Sequence, residues 1–154
     1  MKIGDKLPEL LGTDQNGNEV KLSDYAGRKL ILYAYPKDNT PGCTAEACSL
    51  RDNIAELEAQ GYSVVGVSKD SAQSHQRFIE KFSLPFSLIS DKETTLLQQM
   101  GAWGEKKMCG KTCIGTLRTT IIADEQGIVT HIFTPKEINT KTHAEQILQL
   151  AIRN

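Results

Sequence analysis

Tyr35-Pro36-Lys37-Asp38-Asn39-Thr40-Pro41-Gly42-Cys43-Thr44-Ala45-Glu46-Ala47-Cys48 is the stretch on which the reading of this chain turns. It follows the apolar run Leu30-Ile31-Leu32-Tyr33-Ala34, which predicts a buried strand, and leads into Ser49–Leu57, which predicts a helix. Pro41 and Gly42 form the turn between them, so Cys43 arrives in the first turn of the helix. Unpaired N–H groups and the positive end of the helix dipole there favour a thiolate over a thiol. A strand, a turn and a helix that present a cysteine in this way are suited to making a nucleophile. Taken alone, Cys43 also fits a small buried structural residue. Its neighbours decide between the two.

Around this segment the chain reads as alternating strands and helices. Asn16-Gly17, between Leu10–Thr13 and Glu19–Leu22, is a hairpin signal. Strands are expected at Lys29–Tyr35, Tyr62–Ser68 and Phe86–Ile89, with helices at about Cys43–Gln60, Ser71–Phe82 and Lys92–Met100. Phe78, Ile79 and Phe82 share one helical face. Arg118–Ala123 and Ile128–Phe133 flank the turn Asp124-Glu125-Gln126-Gly127 as a second hairpin. Thr140–Arg153 closes the chain as an amphipathic helix with Ile147, Leu148, Leu150 and Ala151 inward. This order implies an α/β thioredoxin-like fold: a central mixed sheet, helices on both faces, and an N-terminal hairpin.

Composition narrows the class. With 154 residues, the chain suits one domain spanning 1–154. A net charge of −1 argues against nucleic acid or an anionic membrane as partner. No apolar run approaches the roughly 20 residues of a membrane span. Met1-Lys2-Ile3-Gly4-Asp5 has no hydrophobic stretch suited to a signal peptide, so a cytoplasmic location is expected. Four cysteines in a reducing compartment point to reactive or metal-binding roles rather than a disulfide framework.

The pattern Pro36-x-x-x-Thr40-x-x-Cys43 is the active-site motif of the peroxiredoxins, and the longer segment closely resembles their Q-type, or bacterioferritin comigratory, subfamily. Similarity extends through Gly4-Asp5-x-x-Pro8, Leu22-Ser23-Asp24-Tyr25, Val65-Gly66-Val67-Ser68, Trp103-Gly104-Glu105-Lys106 and Gly115-Thr116-Leu117-Arg118-Thr119-Thr120. The resemblance implies a thiol peroxidase that reduces hydrogen peroxide and organic hydroperoxides and is recycled by thioredoxin or a similar dithiol. It implies a monomer that needs no cofactor and no metal. Cys43 would be the nucleophile and Arg118 the cation facing both sulfur and peroxide. Thr40 would offer a hydroxyl that donates to one peroxide oxygen and accepts from the other. Pro36, lacking an N–H, would wall the pocket. Together these parts would stabilise the charge of the O–O transition state.

The resemblance also makes Cys48 the resolving cysteine; its bland alternative is a buried helix cysteine. Five residues of helix separate the two Cα atoms by roughly 8.7 Å, whereas a disulfide needs less than about 7 Å. The first turns must therefore unwind before Cys48 can reach a Cys43 sulfenic acid.

Cys109 and Cys113 depart from the subfamily, where aromatic residues are expected. They fit small hydrophobic fillers lining the approach to Arg118, a second redox pair, or zinc ligands together with Cys43 and Cys48, as in a zinc-stabilised binding domain; either could instead resolve Cys43 in place of Cys48. Gly104-x5-Gly110-Lys111-Thr112 resembles a phosphate-binding loop but has one residue too many between its glycines, and no strand is expected to lead into it. His75, His131 and His143 are scattered and read as surface or structural residues. Trp103 reads as packing on the pocket rim.

Overall fold

The computed structural model describes residues 1–108 and 110–150. A five-stranded sheet in the order β5-β4-β3-β8-β9 forms its centre. β3 (Lys29–Ala34) lies in the middle, parallel to β4 (Tyr62–Ser68) and antiparallel to β8 (Thr119–Ala123). β5 (Ser87–Ser90) runs parallel to β4 on one edge, and β9 (Val129–Phe133) antiparallel to β8 on the other. This is the mixed sheet the sequence implied.

Residue alternation along β3 sorts two cores. Leu30, Leu32 and Ala34 face the hairpin β1 (Leu10–Thr13) and β2 (Glu19–Lys21), with α4 (Thr95–Gln99) on the same side through Leu96 and Leu97. Ile31, Tyr33 and Tyr35 face the other way, where α1 (Pro41–Asp52), α2 (Ile54–Ala59), α3 (Ala72–Phe82) and α5 (His143–Leu148) contribute Cys43, Ala47, Leu50, Leu57, Phe78, Ala144 and Ile147. Gly66 belongs to this second face. A Cβ there would stand 2.6 Å from Leu88 and 3.0 Å from the Tyr33 ring, so only glycine lets that ring lie flat on β4.

Several expected boundaries move, each for a local reason. The single helix expected at about Cys43–Gln60 begins at Pro41 and breaks at Asn53. There the Asn53 side-chain amide donates to the Ser49 carbonyl at 2.8 Å and competes with the backbone ladder. The helix expected at Lys92–Met100 starts only at Thr95, because Asp91 accepts from the N–H groups of Leu96 and Leu97. Of the expected closing helix, α5 covers His143–Leu148, with Ile147 fully buried and Leu148 and Leu150 packed against the second core; Ala151 lies outside the described residues.

β6 (Trp103–Met108) and β7 (Lys111–Thr116) form an antiparallel hairpin of their own that was not expected. A strand therefore does enter the Gly104–Thr112 segment, but a second strand follows it rather than a helix, so no phosphate-binding loop is built. Trp103 packs against the first core with the Lys69 ammonium 5.4 Å from its ring centre, on the sheet face opposite Cys43 rather than on a pocket rim there. Among the described residues no helix is long and apolar enough to cross a membrane.

Candidate active site

The strand β3 ends at Ala34, and Tyr35 still pairs with the sheet through its N–H to the Val67 carbonyl. The chain then leaves the sheet edge, turns through Asn39 at a φ of 61°, and enters α1 with Thr40 at the N-cap and Pro41 at the first helical position. Proline suits that place, since its missing N–H would have had no partner anyway. Cys43 is consequently the third helical residue, at the dipole's positive end. It is 1% exposed, packed among the second core beneath the helix start.

Arg118 reaches this sulfur from the segment between β7 and β8. Its Nη2 donates to Cys43 Sγ at 3.3 Å, and its Nη1 donates to Glu46 Oε1 at 2.6 Å. Gly42 eases the approach, because a Cβ there would stand 3.3 Å from Nη2, closer than a side chain ordinarily packs. Burial works against the Arg118 charge, but the flanking Glu46 and Cys43 outweigh it and hold the group charged more firmly than usual.

Glu46 lies one helical turn after Cys43, on the same face of α1. It is fully buried, and that burial raises its carboxyl to about 7 despite the opposing pull of Arg118. Its second oxygen, Oε2, has no hydrogen-bond partner. His143 stands near it, with Nε2 at 3.9 Å. That nitrogen is 2.8 Å from the Thr120 hydroxyl, while Nδ1 is 2.8 Å from Gln146 Oε1. Burial keeps His143 below its ordinary range, so Nδ1–H donates to Gln146 and Nε2 accepts from Thr120. Tyr33 completes the floor. Its hydroxyl is buried without a partner, and burial first, then the Glu46 and Cys43 charges, push it well above its usual range.

Thr40 differs from expectation in one respect. Its hydroxyl proton is already committed to the Lys37 carbonyl at 2.8 Å, which leaves the oxygen as an acceptor for a peroxide O–H rather than as a donor. Pro36 is half-buried at the start of the same loop.

Of the other cysteines, Cys48 is half-buried and free on the intact α1, five residues beyond Cys43. Cys113 is exposed on β7 opposite Lys106, so it does not fill a pocket wall and the filler reading fails for it. Cys109 lies outside the described residues. Cys43, Cys48 and Cys113 do not converge; among the described residues the one grouping of metal-ligating side chains is Asp38, Asp70 and His75. His75 and His143 are fully buried, which makes them structural and not surface residues, and His131 is half-buried.

Of the residues expected at the site, Arg118 meets Cys43 directly, while Thr40 and Pro36 lie in the loop that leads into α1; Glu46, Tyr33 and His143 were not expected there. The spacing of Cys43 and Glu46 was the available signal for the first of these.

The arrangement holds a buried thiol in the first turn of a helix, a guanidinium donating to its sulfur and an acceptor hydroxyl in the loop before it, a set of groups suited to reducing a peroxide. Comparison with known proteins agrees. The AhpC/TSA family model matches residues 3–132. Peroxiredoxin Bcp of Escherichia coli K12 is 40% identical over 148 residues, covering 96% of this chain and 94% of the relative. A Cys-to-Ser variant of Xylella fastidiosa PrxQ superposes with a TM-score of 0.88 at 32% identity, covering 99% of this chain and 96% of the other. The Xanthomonas campestris bacterioferritin comigratory protein, described for its alkyl peroxide reduction activity, gives a TM-score of 0.84 at 30% identity, with 97% and 98% covered. The chain belongs to the AhpC/TSA family, and within it to the thiol peroxidases of the peroxiredoxin Q and bacterioferritin comigratory type.

Proposed function

We propose that this chain, acting as one domain, reduces peroxides through Cys43. The thiolate attacks one peroxide oxygen, the O–O bond breaks, and the other oxygen leaves as water or alcohol after taking a proton. Cys43 is left as a sulfenic acid. Cys48 then attacks that sulfur, an S–S bond forms, and water departs. A dithiol protein such as thioredoxin reduces the disulfide and closes the cycle. The Nη2-to-Sγ distance of 3.3 Å at the start of α1 is the observation that carries this reading. A guanidinium at that distance supports the reading, because a fixed positive charge there would stabilise the negative charge that sulfur and peroxide oxygen share in the transition state. Hydrogen peroxide and organic hydroperoxides are the substrates proposed; the alkyl peroxide activity of the Xanthomonas protein supports the second class.

Cys48 is the resolving residue proposed in preference to Cys113, because Cys48 shares the helix that must open. In the intact helix the Cα separation of roughly 8.7 Å is too long for a bond, so resolution includes unwinding of the first turns of α1. The chain works as a monomer in the cytoplasm, where dithiol reductants are available. Peroxide-dependent NADPH oxidation, coupled through thioredoxin and its reductase, tests the cycle. Turnover that stops in Cys43→Ser supports it, and turnover that persists there refutes it.

A further inference from the structure

Behind the active-site loop, away from the sulfur, lies a second buried polar group. Asp38 is 7% exposed and surrounded by donors. The Tyr35 hydroxyl donates to its Oδ1 at 2.5 Å, and the Ser74 hydroxyl to Oδ2 at 2.8 Å. His75 Nδ1 meets the same Oδ2 at 2.7 Å. The Asp38 N–H donates to Asp70 Oδ2 at 2.9 Å, which also accepts the Ser68 hydroxyl at 2.7 Å. On the far side of the imidazole, Nε2 is 3.0 Å from the Ile89 carbonyl. A carbonyl only accepts, so Nε2 carries a hydrogen and Nδ1 is the ring nitrogen that faces Oδ2. Every polar side-chain atom of Asp38 and His75 is thus engaged. The ligand atoms of Asp38, Asp70 and His75 are close enough to hold a cation, but the chain's own donors already occupy them.

This network ties four parts of the fold together: the loop after β3, the end of β4, the first turn of α3, and β5. Its contact with the active site is covalent. Asp38 stands two residues before Thr40, and the residue between them, Asn39, has a φ of 61°. A non-glycine residue in that region persists only where its surroundings over-determine it. Asp38 is the anchored residue on one side of the turn, and α1 is the anchored element on the other.

We propose that Asp38 and His75 are positioning residues for peroxide attack: through the turn at Asn39 they hold Thr40 and the start of α1 where Cys43 meets Arg118. The inference rests on Cys43 as nucleophile. Neither residue touches peroxide or sulfur, so their loss alters geometry rather than the chemical groups present.

The test is rapid-quench measurement of sulfenic acid formation on Cys43, trapped with dimedone and quantified by mass spectrometry, in a Cys48→Ser background. His75→Ala and Asp38→Ala should each slow this step at least about tenfold, the scale of losing a charge-assisted hydrogen bond and misplacing a reacting group. The double variant should be little slower than either single one, because the two act as a unit. Alkylation of Cys43 by iodoacetamide, run at alkaline pH where the thiolate predominates in every variant, uses neither Thr40 nor the alignment of Arg118 on a peroxide oxygen and should change less than about twofold in the same variants. Asp38→Asn keeps an acceptor for Tyr35 and offers His75 an N–H, and should recover most of the rate. A folded His75→Ala variant that reacts with peroxide at the parental rate overturns the proposal, as does equal slowing of peroxide attack and alkylation. If His75→Ala does not fold by circular dichroism, Ser74→Ala decides, since it removes a single donor from Asp38. Several-fold slowing then supports the proposal and an unchanged rate overturns it. Peroxide consumption by Cys43→Ser would refute the nucleophile assignment instead, a separate outcome.

Discussion

Cys43 and Glu46, one helical turn apart on α1, are held by two nitrogens of a single guanidinium: Arg118 Nη2 lies 3.3 Å from the sulfur and Nη1 2.6 Å from the carboxylate oxygen. Glu46 thereby fixes the plane of the group that faces the sulfur. A lysine ammonium could satisfy one of these partners but not both in this geometry.

Arg118→Ala should slow peroxide attack on Cys43 by about a hundredfold or more, the scale of removing one preorganised charge stabiliser. Arg118→Lys should recover only part of that loss. Stopped-flow kinetics at pH 7 checks both, and an Ala variant reacting at the parental rate would mean that the guanidinium plays no part.

The buried carboxyl of Glu46 gives a stability signature. Its folded-state value is about 7 against an ordinary 4.5, with burial the main cause. The folded protein therefore binds more protons than the unfolded chain between these values, and stability falls as pH rises from about 4.5 to 7. The cost levels off above that window at roughly 3 kcal/mol or less. Glu46→Gln carries no such charge, so its stability relative to the parent should improve between pH 5 and pH 8. Denaturant titrations at the two pH values read the difference; parallel behaviour of the two proteins would contradict a buried, proton-holding Glu46. The same variant should retain the fold but react more slowly with peroxide, because an amide orients Arg118 less firmly than a carboxylate.

Gly42→Ala places a methyl group 3.3 Å from Arg118 Nη2. Alanine suits a helix better than glycine, so thermal stability should hold or rise slightly while peroxide attack slows several-fold. Loss of stability with an unchanged rate would show that the close approach at Gly42 does not set the position of Arg118.

Much of this was legible in the sequence because it is local. The run Leu30–Ala34 is apolar without interruption, which is how a central strand covered on both faces reads. Pro41-Gly42 marks the start of α1 directly. What stayed hidden is the burial of polar residues, which spacing does not reveal. His75 finds Asp38 across 37 positions, and Glu46 finds Arg118 across 72. The hairpin β6–β7 was missed for a different reason. Lys111, Thr112, Cys113 and Ile114 are all exposed, so β7 carries no inward-outward alternation to announce a strand. The role of Arg118 came from resemblance alone, since an arginine at a strand start ordinarily sits in solvent.

Cys48→Ser should still consume one equivalent of peroxide, yet turn over slowly with thioredoxin and overoxidise readily to the sulfinic acid. Cys113→Ser should turn over at nearly the parental rate. The reverse pattern would move the resolving role to the β6–β7 hairpin.

The decisive measurement is peptide mapping of the wild-type protein after a single equivalent of hydrogen peroxide, read together with hydrogen exchange across Ala45–Asp52. A Cys43–Cys48 disulfide and faster exchange through α1 are expected, because that bond cannot close in a wound helix. A disulfide that joins Cys43 to Cys109 or Cys113, with α1 protected as before, would contradict resolution by Cys48.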